Sequence, residues 1–167
     1  MTNLPDIILN EYAVVRVQMD ALSDEFIDKL LKEPKKVINV HRKPGRKMHH
    51  DEVNYDISCK DGKNFYTLVI RQSRMHPSNY SCGLRWQSPS SQEVVLVRYN
   101  GDGHAHRNHL EKETIEYKNH IQKATERYMK AGKKAEQYAI ETDRYHNLQG
   151  ALRCLAEDCN ISGLPQI

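Results

Sequence analysis

Residues 93–109 read E-V-V-L-V-R-Y-N-G-D-G-H-A-H-R-N-H, and the rest of the chain is read outward from them. The β-branched run Val94–Val97 predicts a strand that ends at Arg98–Tyr99. A turn at Asn100–Gly103 follows, and it delivers His104, His106, Asn108 and His109 within six residues. A strand end followed by a glycine-rich turn exposes functional groups on a rigid support. Simple alternation puts Arg98 on the face of Val94 and Leu96, and Tyr99 on the face of Val95 and Val97.

Upstream the chain reads as more sheet. Tyr80, Cys82, Leu84 and Trp86 alternate with Ser81, Gly83, Arg85 and Gln87. Phe65–Gln72 is nearly apolar on both faces and reads as a central strand, with Arg71 on the face of Thr67 and Val69. Val53, Tyr55, Ile57 and Cys59 alternate with polar neighbours. Turns at Asp61-Gly62, at Met75–Asn79 and at Ser88–Ser91 join these runs into an antiparallel meander. A short strand at Ala13–Val17 and a helix capped by Ser23 and stopped by Pro34 precede it. Lys35–Val40 reads as a strand leading into the basic loop His41–His50. Downstream, Tyr117, Ile121, Ala124 and Tyr128 fall on one helical face ending near Gly132. Tyr138–Ile140 reads as a short strand, and Asn147 caps a last helix. The expectation is one α+β domain over 1–167: an antiparallel meander of about four to six strands with helices packed on one face. Its parts are an N-terminal strand and helix (12–33), the sheet (35–100), the histidine-rich turn (100–109) and C-terminal helices (114–160).

Composition suits that fold. Of 167 residues, 38% are hydrophobic and 28% charged, enough for one soluble domain with a lean core. No leader or membrane-length apolar run is apparent, so the expected location is cytoplasmic with no membrane partner. The four cysteines form no C-x-x-C pair and read as reduced thiols, with neither a structural zinc nor a disulfide framework. The net formal charge is only +3, yet residues 32–50 carry seven Lys or Arg against one Glu and residues 118–134 carry six against one. Brought together by folding, two such segments would form a phosphate-facing surface; kept apart, they are solvated faces. Lys35, Lys36, Arg42, Lys43, Arg46 and Arg107 are the candidate nucleic-acid-binding residues.

Three chemistries compete for the histidines. The spacing His104-x-His106-x-Asn108-His109 is that of the zinc-binding His-x-His-x-Asp-His of metallo-β-lactamase-type hydrolases. Asn108 stands where the acid should be, and a neutral amide neither balances a second metal nor acts as a base. Metal-free cleavage of RNA needs a base, an acid and cations for the phosphorane, and histidine beside arginine supplies them. In that reading His104 and His106 transfer protons, Arg98 and Arg127 stabilise the phosphate, and Tyr99 or Tyr128 orients it, with no cofactor. Small antiparallel-sheet ribonucleases, many of them bacterial toxins, use such sets. The third reading is a non-enzymatic module that inhibits or regulates a protein partner.

A-T-E-R-Y (Ala124–Tyr128) and T-D-R-Y (Thr142–Tyr145) each bring an acid, an arginine and a tyrosine together, either as internal bridges or as part of the same pocket. Taken with R-Y-N-G-x-x-H-x-H-x-N (Arg98–Asn108) and the closing L-A-E-D-C-N, these phrases resemble a small uncharacterised family of intracellular bacterial or phage proteins over about residues 65–161. The resemblance implies a prokaryotic or phage-borne domain and no particular activity. Families of this size often serve as toxins or in host defence, which favours RNA over other partners. The sequence-based expectation is therefore a nucleic-acid-directed protein, a metal-independent endoribonuclease of toxin type. The interaction module is the alternative, and the metal hydrolase comes third.

Overall fold

The structure is a computed structural model that describes residues 22–40, 42–164 and 166. The strand expected at Ala13–Val17 and residue His41 lie outside the described residues. Helix α1 (Asp24–Lys32) begins where expected: the Ser23 side chain accepts a hydrogen bond from the Phe26 N–H at 3.1 Å. Its stripe Ile27, Leu30 and Leu31 is buried. The chain then forms β1 (Lys35–Val37), β2 (Gly45–Arg46), β3 (His50–Cys59), β4 (Phe65–Ser73), β5 (Tyr80–Gln87) and β6 (Glu93–Asn100). A small two-stranded ribbon, β7 (His106–Asn108) and β8 (Glu113–Ile115), carries His106, Arg107 and Asn108 of the turn. After it come β9 (His120–Lys123), α2 (Glu126–Lys130), β10 (Tyr138–Glu141), α3 (Leu148–Asp158) and β11 (Ile161–Ser162).

The meander β3-β4-β5-β6 is as expected, but the sheet around it is larger than four to six strands. It has nine, in the order β10-β9-β6-β5-β4-β3-β1-β11, with β2 beside β3. It is also mixed rather than purely antiparallel, because β11 runs parallel to β1. Helix α3 carries the chain back across the sheet to that edge, as a parallel pair requires. The second correction concerns residues 117–131, which do not form one helix. Their apolar spacing fits a helix, yet β6 has a free edge whose N–H and C=O groups need partners. Residues 120–123 supply them as β9, paired Tyr99 to Ile121 and Asn100 to His120. Only Glu126–Lys130 remains helical, capped by Thr125. Tyr117 is exposed and takes φ 49° at the turn into the strand.

One face of the sheet is the core. Tyr55, Ile57, Tyr66, Leu68, Cys82 and Leu84 pack beneath Ile27 and Leu30 of α1 and Ala151, Leu152 and Leu155 of α3. Each large aliphatic side chain buried there contributes about 1.5–3 kcal/mol. The opposite face carries Thr67, Val69, Arg71, Ser81, Gly83 and Arg85. Among the described residues no helix is long and apolar enough to cross a membrane.

Candidate functional site

The alternation read from the sequence fails at one point on β6, and that failure builds the site. Leu84 pairs with Val97 and Arg85 with Val95, so Leu96 is an extra residue in a β-bulge. Val97 and Tyr99 therefore face the core, while Val95 and Arg98 share the open face. Arg98 lies directly opposite Gly83, which in turn pairs with Val69. Arg85 sits two residues along β5 from Gly83, and Arg71 pairs with Ser81 on its other side. Three guanidinium groups from three adjacent strands thus surround a glycine. They line a cavity of about 120 Å³ floored and walled by Val69, Gly83 and Val95.

Each arginine also meets a carboxylate. Arg71 Nε donates to Glu52 at 2.7 Å and Arg85 Nη1 to Glu93 at 3.0 Å, whereas Arg98 stands 3.8 Å from Glu136. The last distance is too long for a hydrogen bond. Burial holds the Arg98 pKa below its ordinary value; Glu136 opposes that shift, and the nearby charges of Arg71 and Arg85 reinforce it. Arg85 Nε is buried with no acceptor among the described residues.

Next to Arg98, at the β9 end of the same face, sits the histidine corner. His120 pairs with Asn100 on β6 and points away from the core, as does Gln122 opposite Arg98. His120 is wholly buried, and its ring meets His104 edge-on at 5.2 Å and stacks on His106 at 5.1 Å. Its Nδ1–H donates to the Lys118 carbonyl at 2.7 Å, while its Nε2 is buried without a partner among the described residues. Burial drops its pKa to about 4; the Lys118 carbonyl opposes the shift, and His104 and His106 add to it. His106 donates from Nε2 to the Gln137 carbonyl at 2.7 Å. His104 is half-buried. Burial, then the charges of His106 and Arg98, lower its pKa from the ordinary imidazole value. The turn that presents it is glycine-rich for packing reasons. A Cβ on Gly101 would lie 2.2 Å from the Ser78 carbonyl, and one on Gly103 would lie 2.6 Å from Asn79.

The structure brings together His104, His106 and Arg98, and it adds Arg71, Arg85 and His120. Tyr99 is elsewhere: it lies on the core face and donates to Asp158, which also takes a bidentate pair of bonds from Arg144 at 2.7 and 2.8 Å. Arg127 and Tyr128 converge on Glu111, and Tyr128 is fully buried. Both acid-Arg-Tyr phrases thus contribute internal bridges. Asn108 uses its amide to bond both the N–H and the carbonyl of Ala139 on β10, each at 2.8 Å. Among the described residues, the ligand-type atoms that gather within 4.8 Å of one another belong to Glu33, Cys59 and Asp61, not to the turn's histidines.

The expected basic track is dispersed. Lys35 is buried, and its ammonium donates to the carbonyls of Leu31, Glu33 and Cys159 at 2.8–2.9 Å, tying the ends of α1 and α3 together. Burial lowers its pKa to about 8, against the pull of Cys159 and Glu33. Lys36, Lys43 and Arg46 are exposed, and Arg42 pairs with Asp56 at 3.3 Å. Arg107 donates to Thr114 at 3.1 Å on the ribbon. The two basic segments do not meet: β9 and β1 are five strand steps apart in the sheet, about 24 Å at roughly 4.8 Å per step. Sequence reasoning noticed Arg71, Arg85 and Arg98 singly and missed their convergence, because Val94–Val97 is apolar throughout and so hides the shift in alternation that the bulge makes.

No curated protein and no solved structure matches the chain. A model of a family of unknown function, DUF6978, matches residues 22–161, from α1 to the first residue of β11. The match spans the sheet, the arginine face and the histidine corner, and the chain belongs to that family.

Proposed function

We propose that the protein acts on RNA as a metal-independent endoribonuclease, with the open face of the sheet as its substrate surface. The observation that carries this reading is the half-buried His104 beside Arg98, its pKa lowered by burial, at the end of a face that also presents Arg71 and Arg85. An imidazole whose burial favours its neutral form is suited to accept a proton. In the proposed step His104 takes the proton of the RNA 2′-hydroxyl. The 2′-oxygen bonds to the adjacent phosphorus, the bond from phosphorus to the 5′-oxygen breaks, and water returns a proton to that oxygen. Arg98 stabilises the charge that accumulates on the phosphorane. His106, fixed to Gln137 and stacked on His120, positions the corner.

The test is incubation of the purified chain with mixed RNA in EDTA, alongside His104→Ala. Cleavage that leaves 2′,3′-cyclic phosphate ends is expected, with a loss of about 10²- to 10⁴-fold in the variant. If no RNA is cut with or without added metal, the reading is abandoned in favour of a module that binds a protein partner. Expression in cells separates a toxin from a housekeeping nuclease: growth arrest that disappears with His104→Ala marks the former.

A further inference from the structure

We propose that the cavity over Gly83 is a binding site for a single phosphate group. The inference names the handle by which the RNA of the preceding section would be held and rests on that reading only for the ligand's source. Three features point to the site. Its size admits one oxyanion and little else: about 120 Å³ equals the share of about four waters at roughly 30 Å³ each, far below the ~300–1,000 Å³ of pockets that enclose whole small ligands.

Its charge is the second feature. Arg71, Arg85 and Arg98 come from β4, β5 and β6 and crowd a gap that exists because Gly83 has no side chain. Three guanidinium groups so placed repel one another, which Glu52, Glu93 and Glu136 offset only from the side away from the gap they share or at long range. Glu52 and Glu93 each take one hydrogen bond, from Arg71 and Arg85 respectively, and Glu136 is out of hydrogen-bond range of Arg98. Most of the five donors on each guanidinium are therefore not committed to these carboxylates. The third feature is the buried Arg85 Nε–H, which has no acceptor among the described residues. A tetrahedral oxyanion offers acceptors in several directions at once and matches the planar fork of arginine, while Ser81 supplies a hydroxyl at the rim. Arg98 lines this cavity and its charge also acts on His104, so the cavity adjoins the histidine corner.

The chemistry is that of a phosphate, and two sources present it: a terminal phosphomonoester of a strand, or an internal phosphodiester. Binding is to be measured on the full chain in EDTA at low salt, with inorganic phosphate and with short RNAs that carry a 5′-phosphate, a 3′-phosphate or neither. NMR of the arginine Nε–H groups and calorimetry provide the readouts. Arg85→Gln is the decisive variant because it lies outside the His104–Arg98 pair, and Gly83→Ala fills the gap. The Gly83 Cβ would stand 3.0 Å from the Val97 carbonyl, so circular dichroism must first show that this second variant is folded.

The expected result is that inorganic phosphate shifts the Arg85 Nε–H signal and that Arg85→Gln weakens phosphate binding at least tenfold. An RNA whose terminal phosphate raises its affinity tenfold identifies the monoester as the source. Equal affinity with and without that phosphate, still lost in Arg85→Gln, identifies the internal diester. The proposal is overturned if phosphate leaves the three arginines unperturbed and Arg85→Gln leaves RNA binding unchanged. Phosphate binding without RNA cleavage upholds the site and removes the nuclease reading; cleavage that is indifferent to Arg85→Gln, with no phosphate binding, does the reverse.

Discussion

His120 is a histidine held uncharged by its surroundings. Its Nδ1–H is used by the Lys118 carbonyl, its Nε2 is sealed from solvent, and the rings of His104 and His106 lie against it. A proton added there would be buried beside two other imidazoles, which is why its pKa falls to about 4. The unfolded chain, with an ordinary value near 6.5, takes up the proton first. Stability from this residue is therefore complete above pH ~6.5 and is lost as the pH falls from there towards 4, with His104 adding to the effect in the same direction. Between pH 7 and pH 5 the loss from His120 is about 2 kcal/mol. Urea midpoints at pH 7 and pH 5 should show a smaller drop for His120→Gln than for the wild type. An equal drop in both would mean that His120 does not carry the effect.

At the scale of elements, the outer edge of β10 is the exposed edge that needs protection, and β7 protects it with one side chain. Asn108 bonds both backbone groups of Ala139 as a neighbouring strand would, and it is itself buried. Asn108→Ala leaves a buried N–H and C=O without partners, at a cost of about 1–3 kcal/mol. Amide exchange at Ala139 should accelerate while the meander strands β3 to β5 stay protected; unchanged exchange at Ala139 would refute the role. The same element shows where the sequence was silent. Asn108 stood out as a defective metal ligand, and only the register of two elements some 30 positions apart reveals its use. The helices at either end were legible because their signals are local. The Ser23 and Asn147 side chains cap α1 and α3 at 3.1 and 2.8 Å, and the apolar stripes behind them are the buried ones. Residues 120–123 were not legible, because a four-residue strand recruited to an open edge carries too little pattern of its own.

For the whole molecule the question is where the charge goes. The basic segments prominent in the sequence end up at opposite sides of a nine-stranded sheet, and one of their lysines, Lys35, is consumed by structure. The cationic cluster comes instead from three arginines spaced along the meander strands. If RNA binds the open face, Lys36→Glu with Arg46→Glu should change its affinity less than threefold. Arg71→Gln should weaken binding about tenfold and reduce the salt dependence by about one unit of slope. Filter binding between 50 and 200 mM salt measures both, and the reverse ranking would move the RNA to the β1 edge.

The sequence by itself determined the meander, its turns, the two capped helices and the core stripe, since each depends on a period or a cap readable within a few residues. It also marked the histidine turn. Tertiary structure alone decided which strands completed the sheet, how the bulge at Leu96 turned Arg98 onto the open face, and which cations met there. Those outcomes depend on edges and registers between segments far apart in the chain, and no local pattern encodes them.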